Sequence, residues 1–390
     1  MILPFTYNWR NLLVRKLSTT LTLVIVAVVV FVLAVLLAFA LGIRDSLTAS
    51  GSPRNLLILK PGATAESTSI IMPNEAAKVV QAPHLARDGA GKMLISPEIC
   101  VQTSILRRGP EGTPANVAVR GVDAEAFLIH DDVKIIEGRR FETGALEVIV
   151  GKAARERYQN LELGGELSLG RLGTRTFKVV GIFEAGGGAL ESEIWAPRSN
   201  VSDAYQRNQI SSIVVRLTDE SHAAEAIAYL NGPAVELEAN AEPKYYEKLS
   251  NTTRQIVGLT TILIAIMAIG AIFAVANTMY SAVDGRRREI AMLRTIGFSQ
   301  MAIILAFILE SLLICLLACA LGLAATTLLS GMQQDYMSDQ TFTVLAFELR
   351  VTSDIVISAL ILSVFVGVVG ALAPAIRASR TRIIDALRKA

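Results

Sequence analysis

Phosphate chemistry is the first reading to test in this chain. It contains Gly89-Ala90-Gly91-Lys92, and a glycine loop ahead of a lysine can cradle phosphate oxygens on backbone N–H groups. The phosphate-loop spacing would need glycine at position 86 and Ser or Thr at 93; Ala86 and Met93 stand there, so ATP is not expected to bind this chain. Gly186-Gly187-Gly188 follows a strand-like run but lacks the G-x-G-x-x-G spacing that opens into a helix, and reads as a mobile loop. His84, His130 and His222 show no ligand-like spacing with one another or with Cys100, and their order supports neither a metal site nor a Ser/His/Asp arrangement. Cys100 has no second cysteine in its own segment to pair with, and Cys315 and Cys319, at i, i+4 of an apolar helix, read as packing residues. Two features remain. Glu310 lies inside a long apolar run, where an ionisable group is costly, and Asn277 and Thr278 in a neighbouring run are candidate partners for it. The second feature is a basic segment at 284–299, between two apolar runs.

The elements that carry these residues belong in a membrane. Of 390 residues, 52% are hydrophobic and 18% charged, too oily a balance for an ordinary soluble enzyme. Four stretches are long enough for the ~20 helical residues that cross a bilayer core. They divide the chain into an N-terminal segment 1–16, a first span 17–42, a large segment 43–250, a stalk end with second span 251–280, a connecting segment 281–300, a third span 301–329, a short loop 330–353, a fourth span 354–376 and a tail 377–390. The first span resembles a secretory signal in having Arg10, Arg15 and Lys16 ahead of it and Ala38-Phe39-Ala40 near its end. Its apolar run exceeds the roughly 7 to 15 residues of a signal core, so it is read as a retained span.

Cations next to the spans set the orientation. Arg10, Arg15 and Lys16, then Arg286, Arg287, Arg288 and Arg294, then Arg377, Arg380, Arg382, Arg388 and Lys389 flank three segments, whereas the loop 330–353 offers Arg350 against Asp335, Asp339 and Glu348. Both termini and the connecting segment are therefore expected in the cytoplasm and 43–250 outside it. The net charge of +2 and the topological use of the cations leave no case for nucleic-acid binding.

Within 43–250, strand-like runs at Asn55 to Lys60, Asn116 to Gly121, Glu147 to Gly151, Glu166 to Leu169, Thr176 to Phe183 and Ser212 to Leu217 alternate with helical stretches near Asn74 to Gln81 and Ser221 to Leu230. The fold class is thus an α-helical membrane protein with four transmembrane helices and a large α+β extracytoplasmic domain between the first and second. From Glu242 the pattern turns helical, and Tyr245, Leu249, Ile256 and Leu259 lead toward the second span; Ser250-Asn251-Thr252-Thr253 would also permit a flexible joint.

As a helix, the connecting segment sets Ile290, Leu293 and Ile296 near one face and the arginines largely elsewhere, pairs Asp284 with Arg288, and ends at Gly297. Such a helix could lie on the lipid surface. The string Arg288-Glu289-Ile290-Ala291-Met292-Leu293-Arg294-Thr295-Ile296-Gly297 closely resembles the R-E-I-G-x-x-R-A-x-G segment of the MacB/FtsX-like permeases of ABC transporters. Pro374-Ala375-Ile376-Arg377-Ala378-Ser379-Arg380 with Asp385-Ala386-Leu387-Arg388 resembles that family's ending. Weaker likenesses run through Glu147 to Gly151, Leu163-Gly164 and Phe177 to Ile182. Arg382-Ile383 stands where the family often has Asp-Pro, which would let the tail run on as helix.

The resemblance implies a non-catalytic permease subunit of a MacB-type transporter in the bacterial inner membrane. In that family the connecting segment is a coupling helix docked on a cytoplasmic ABC ATPase, which binds the ATP and Mg that this chain does not. Ile290, Leu293 and Ile296 would be its apolar contacts, with Arg286, Arg288, Glu289 and Arg294 as polar ones. A second permease copy, identical or paralogous, is a further implied partner, and a periplasmic adaptor and outer-membrane channel are compatible with it. The work would be mechanotransmission, for export or extraction of a peptide, lipid, lipoprotein or toxic compound. The alternative within the same resemblance is an FtsX-like regulator of a periplasmic partner such as a cell-wall hydrolase.

Overall fold

The computed structural model describes residues 16–48, 50–108, 112–171, 173–249, 251–337 and 344–380. It divides into two compact units, one from the described parts of Met1–Leu41, Gln255–Met332 and Glu348–Ala390, the other from those of Gly42–Arg254 and Gln333–Phe347.

The first unit is helical. Helices Lys16–Thr48, Asn251–Gly285, Gln300–Thr327 and Ser353–Ser379 each contain a stretch long and apolar enough to cross a membrane. They pack through small residues, as helices must where lipid supplies no hydrophobic contrast. An added Cβ at Gly322 would come 2.7 Å from the Ala27 carbonyl oxygen, and one at Gly370 would come 2.8 Å from Val275. Cys315 and Cys319 lie in this packed interior with Ala318, Ala359 and Ala371.

The second unit is a mixed α/β domain. Beside a two-stranded ladder of Gln333–Met337 with Val344–Glu348, the strands of its main sheet are β1 (Asn55–Leu59), β2 (Ile95–Leu106), β3 (Pro114–Val122), β4 (Lys134–Gly138), β5 (Glu147–Gly151), β6 (Glu166–Leu169), β7 (Arg175–Glu184), β8 (Ile194–Pro197), β9 (Ser212–Arg216) and β10 (Glu238–Ala241). They pair in the order β10-β1-β9-β2-β3-β8-β5-β7-β4, with β6 on β7. β3 with β8 and β5 with β7 are parallel; the other pairs are antiparallel. Runs such as Ile213-Val214-Val215 form buried strands because branched side chains fill both faces of the pleat. The helices Glu242–Leu249 and Asn251–Gly285 flank position 250, which lies outside the described residues, so the continuity expected there is not described.

Strand β2 serves two halves. Ile95 to Glu98 pair with β9, and from Ile99 onward the strand pairs with β3. One apolar core, around Leu56, Ile71, Ile213 and Leu230, lies on the β9 side, and another, around Val101, Val119, Val150 and Phe177, lies on the β3 side. Glu98 stands at the switch, and the region holds buried charge. The five guanidinium donors of Arg120 are all used: on Glu66 at 2.7 and 2.9 Å, on Glu193 at 2.7 and 2.8 Å, and on Glu98 at 2.6 Å. Ser212 Oγ donates to Glu66, Ser96 Oγ to Glu98 and Trp195 Nε1 to Glu193, so the carboxylates are held by neutral donors as well. His130 Nε2 lies 3.2 Å from Glu98 Oε1.

This network makes stability depend on pH from both sides. Burial opposes the charge on Glu98, but Arg120 and His130 outweigh it and hold the carboxyl at about 2, against an ordinary 4.5. Burial likewise opposes the charge on His130, yet Glu98 and Glu242 raise it to about 9, against 6.5. Burial keeps the Glu242 carboxyl above its usual range. Glu98 therefore adds stability that is present above about 4.5 and lost as pH falls through about 2. His130 adds stability that is complete below about 6.5 and lost as pH rises through about 9; Glu242 acts in the same direction as His130. Thermal unfolding of the purified chain should show a decline in midpoint between pH 6.5 and 9, on the order of 3 kcal/mol from His130. His130→Gln should shrink that decline; an unchanged alkaline slope would contradict the assignment.

Candidate functional site

The connecting segment is a helix, Arg287–Thr295, closed at its C-terminal end by its own sequence. Gly297 takes φ +104°, which only a residue without Cβ adopts at little cost. Phe298 N donates to the Leu293 carbonyl at 3.1 Å and Gly297 N to the Arg294 carbonyl at 3.2 Å, a Schellman closure. Ser299 then caps the third span helix, its Oγ accepting from Ala302 N at 3.2 Å. Asp284 pairs with Arg287 at 2.7 Å, across the turn at Arg286 where the second span helix gives way to this one.

The face expected to be apolar and exposed is split. Ile290 is 3% exposed and belongs to the packed interior of the spans with Val283, Ile303, Phe307 and Ala375; Ala291 is fully buried beside it. Ile296 is 69% exposed, Met292 57%, and Leu293 is half-buried. The physical cause is helical pitch: at 3.6 residues per turn, positions six apart stand roughly 120° apart, so Ile290 and Ile296 cannot share a narrow face. The outward stripe is instead Glu289, Met292, Leu293 and Ile296, at i, i+3, i+4, i+7, with Arg288 also exposed and Arg294 half-buried.

Arg286 is turned inward as well. It is buried, and its two terminal nitrogens donate to the two Glu310 oxygens at 3.0 and 3.1 Å. The partner expected for Glu310 in Asn277 or Thr278 is thus corrected: Asn277 is exposed and Thr278 shares a hydroxyl contact with Thr22. Glu310 stands about ten residues into the third span helix, roughly 15 Å along its axis, and a planar fork is the side chain suited to meet a carboxylate there with two bonds. Arg286 is a fixed part of the bundle rather than an outward contact.

The remaining candidates are accounted for within the fold. Asp88 Oδ1 accepts from Ala90 N at 2.9 Å and Lys92 N at 2.8 Å, so a carboxylate already holds the amides a phosphate would need. Gly186 to Gly188, expected to be mobile, is pinned instead: Glu191 Oε1 accepts from Ala185 N and Gly187 N, both at 2.7 Å. His84 and His222 stack with ring centroids 4.0 Å apart, a proximity their separation in sequence hides, and His84 Nε2 lies 2.9 Å from Glu225. Among the described residues no group of three or more His, Cys, Asp or Glu could hold a metal ion. The segment Asp385 to Arg388 lies outside the described residues.

Removing one member of a buried ion pair strands the other, at a cost of about 3–5 kcal/mol, whereas replacing both with apolar groups is close to neutral. Glu310→Ala should therefore lower the melting temperature of the detergent-purified chain clearly, and Glu310→Ala with Arg286→Met should recover most of the loss. A double variant as unstable as the single one would contradict the pairing.

The sequence matches two family descriptions: a MacB-like periplasmic core domain over residues 19–232 and an FtsX-like permease C-terminal over residues 261–383. It is 27% identical over 314 residues to "Macrolide export ATP-binding/permease protein MacB 1" of Aeromonas hydrophila, covering 76% of this chain and 46% of that protein. It is 25% identical over 296 residues to the MacB protein of Rhodopseudomonas palustris, covering 71% and 43%. The chain thus spans less than half the length of these relatives. Among solved structures, the periplasmic region of MacB from Actinobacillus actinomycetemcomitans is similar at 13% identity and TM-score 0.36, covering 54% of this chain and 98% of that one. With four span-length helices, a mixed-sheet domain after the first of them, and both matches in register with that order, the chain belongs to the MacB-like, FtsX-like permease family.

Proposed function

We propose that this chain is the permease subunit of an ABC transporter and that a separate cytoplasmic ATPase docks on the outward stripe of the helix Arg287–Thr295. The observation that carries this reading is the two-sidedness of that helix. Its inner side is fixed among the spans by Ile290 and Ala291, with the Arg286–Glu310 pair at its start, while Met292, Leu293 and Ile296 present apolar surface flanked by the exposed charges of Arg288 and Glu289. A helix held this way passes a push on its outer side into the second and third spans, because packed interiors yield little. In this reading ATP and Mg belong to the partner; the relatives of this chain carry ATP-binding in their names.

In this reading two permease copies and two ATPases assemble in the inner membrane. ATP-driven closure of the ATPases moves the spans and, through the helices that lead into it, the domain on the periplasmic side. The cargo class is a peptide, lipid, lipoprotein or small toxic compound handled outside the cytoplasmic membrane, with a periplasmic adaptor and outer-membrane channel as further partners.

An aspartate in the middle of an apolar contact places an unpaired charge out of water at a cost of several kcal/mol, and each factor of ten in affinity takes about 1.4 kcal/mol. Ile296→Asp should therefore abolish co-purification of the ATPase while leaving membrane insertion and melting temperature unchanged, since Ile296 is largely exposed in the chain itself. Ile290→Ala should do the reverse, costing about 2–5 kcal/mol of stability through a core cavity. Equal ATPase recovery with wild type and Ile296→Asp would remove the docking assignment.

A further inference from the structure

The two places where the chain connects to the α/β domain converge on one buried carboxylate. Residues 50–55 follow the first span helix, and Glu242 opens the helix Glu242–Leu249 that precedes the second. Glu242 is fully buried; its Oε2 accepts from Ser52 N at 2.9 Å and from Asn55 Nδ2 at 2.8 Å. Gly51 makes the approach possible. It holds φ +92°, and an added Cβ would come 2.6 Å from Glu242 Cγ. Ser50 anchors the same segment to the glycine loop, its Oγ accepting from Ala189 N at 2.6 Å.

From Glu242 the contacts run into both halves of the domain. Glu242 Oε1 lies 3.6 Å from His130 Nδ1, and the other ring nitrogen reaches Glu98, at the point where β2 changes partners. Glu98 meets Arg120, which holds Glu66 and Glu193. A second contact from the same helix reaches this network: Tyr245 Oη accepts from Glu66 N at 3.2 Å. Asn55 adds a branch, its Oδ1 accepting from Arg216 Nε at 3.0 Å, and Arg216 pairs with Asp131 at 2.8 Å.

We propose that Glu242 is a positioning residue, a latch that ties the incoming segment Ser50 to Asn55 and the outgoing helix Glu242–Leu249 to the Arg120 network, so that both halves of the domain and both chain connections move as one body. Its use, delivering movement of the flanking helices to the whole domain at once, rests on the transporter reading; the latch itself does not. A neutral amide keeps an oxygen that accepts from Ser52 and Asn55, and Tyr245 still meets Glu66, so Glu242→Gln should keep the incoming segment and the outgoing helix tied and Glu242→Ala should release them.

The test uses the full chain in lipid nanodiscs, its three cysteines replaced by alanine, with spin labels at the exposed positions Lys244, on the outgoing helix, and Glu166, on β6. Pulsed electron–electron distance measurements should give one narrow distribution for the parent and for Glu242→Gln. Glu242→Ala should give a distribution about twice as wide, with the melting transition of the domain still cooperative. A second measurement needs no variant: in hydrogen exchange of the unmodified chain the Ser52 amide should be protected at least about tenfold, as a donor bonded to a buried carboxylate is. Equal widths for parent and Glu242→Ala, equal broadening in Glu242→Gln and Glu242→Ala, or an unprotected Ser52 amide would each overturn the latch. Neither readout involves the ATPase, so its failure leaves the docking reading standing, and loss of the docking reading leaves the latch testable.

Discussion

A charge taken out of water must meet its counter-charge with several hydrogen bonds, because an ion stranded in a low-dielectric interior costs several kcal/mol. Among the described residues Arg120, Arg216 and Arg286 are buried arginines, and the first and last of them meet that constraint on buried carboxylates. Arg120 spends all five donors on three carboxylates where β2 passes from one half of the domain to the other, and Arg286 spends its two terminal nitrogens on Glu310 inside the span bundle. Such pairs are a weak source of net stability, but they are selective about geometry: a small displacement of either partner leaves a buried charge under-bonded. They are suited to hold elements in register while those elements move.

The proposed function draws on where those fixed points lie. Arg286 stands at the start of the helix that offers Met292, Leu293 and Ile296 outward, so the attachment of that helix to the spans does not compete with the contacts it presents. In the outer domain the fixed point lies where β2 passes from the strand bordering one apolar core to the strand bordering another. A subunit that relays force needs stiff attachments at both places.

Much of the fold was legible because its causes are local. Span length is dictated by the bilayer, and Ile213-Val214-Val215 or Val117-Ala118-Val119 announce buried strands by branched side chains. All of β2 was missed: Pro97 and Glu98 mask its opening, and polar Gln102, Thr103 and Ser104 its second half; β8 is four residues ending in Pro197, β10 is Glu-Ala-Asn-Ala, and β4 is an edge strand with most of its side chains exposed. The site was legible at its C-terminal end, since Gly297 acts on its neighbours, and not in its facing, since the spacing of Ile290, Leu293 and Ile296 drifts around the helix. Arg286 read as one more cytoplasmic cation; only the fold brings it to Glu310. The Arg120 network draws Glu66, Glu98, His130, Glu193 and Glu242 from separate segments, and no spacing marks them.

The central claim is that the outward stripe of the helix Arg287–Thr295 faces an ATPase. A photoreactive amino acid placed at Ile296, with a control at Ile361 on the exposed side of the fourth span helix, tests it in intact cells. The account predicts a crosslink from position 296 to one protein bearing a phosphate-binding loop, and none to that protein from position 361. Crosslinking of position 296 to lipid alone, as from position 361, would contradict it.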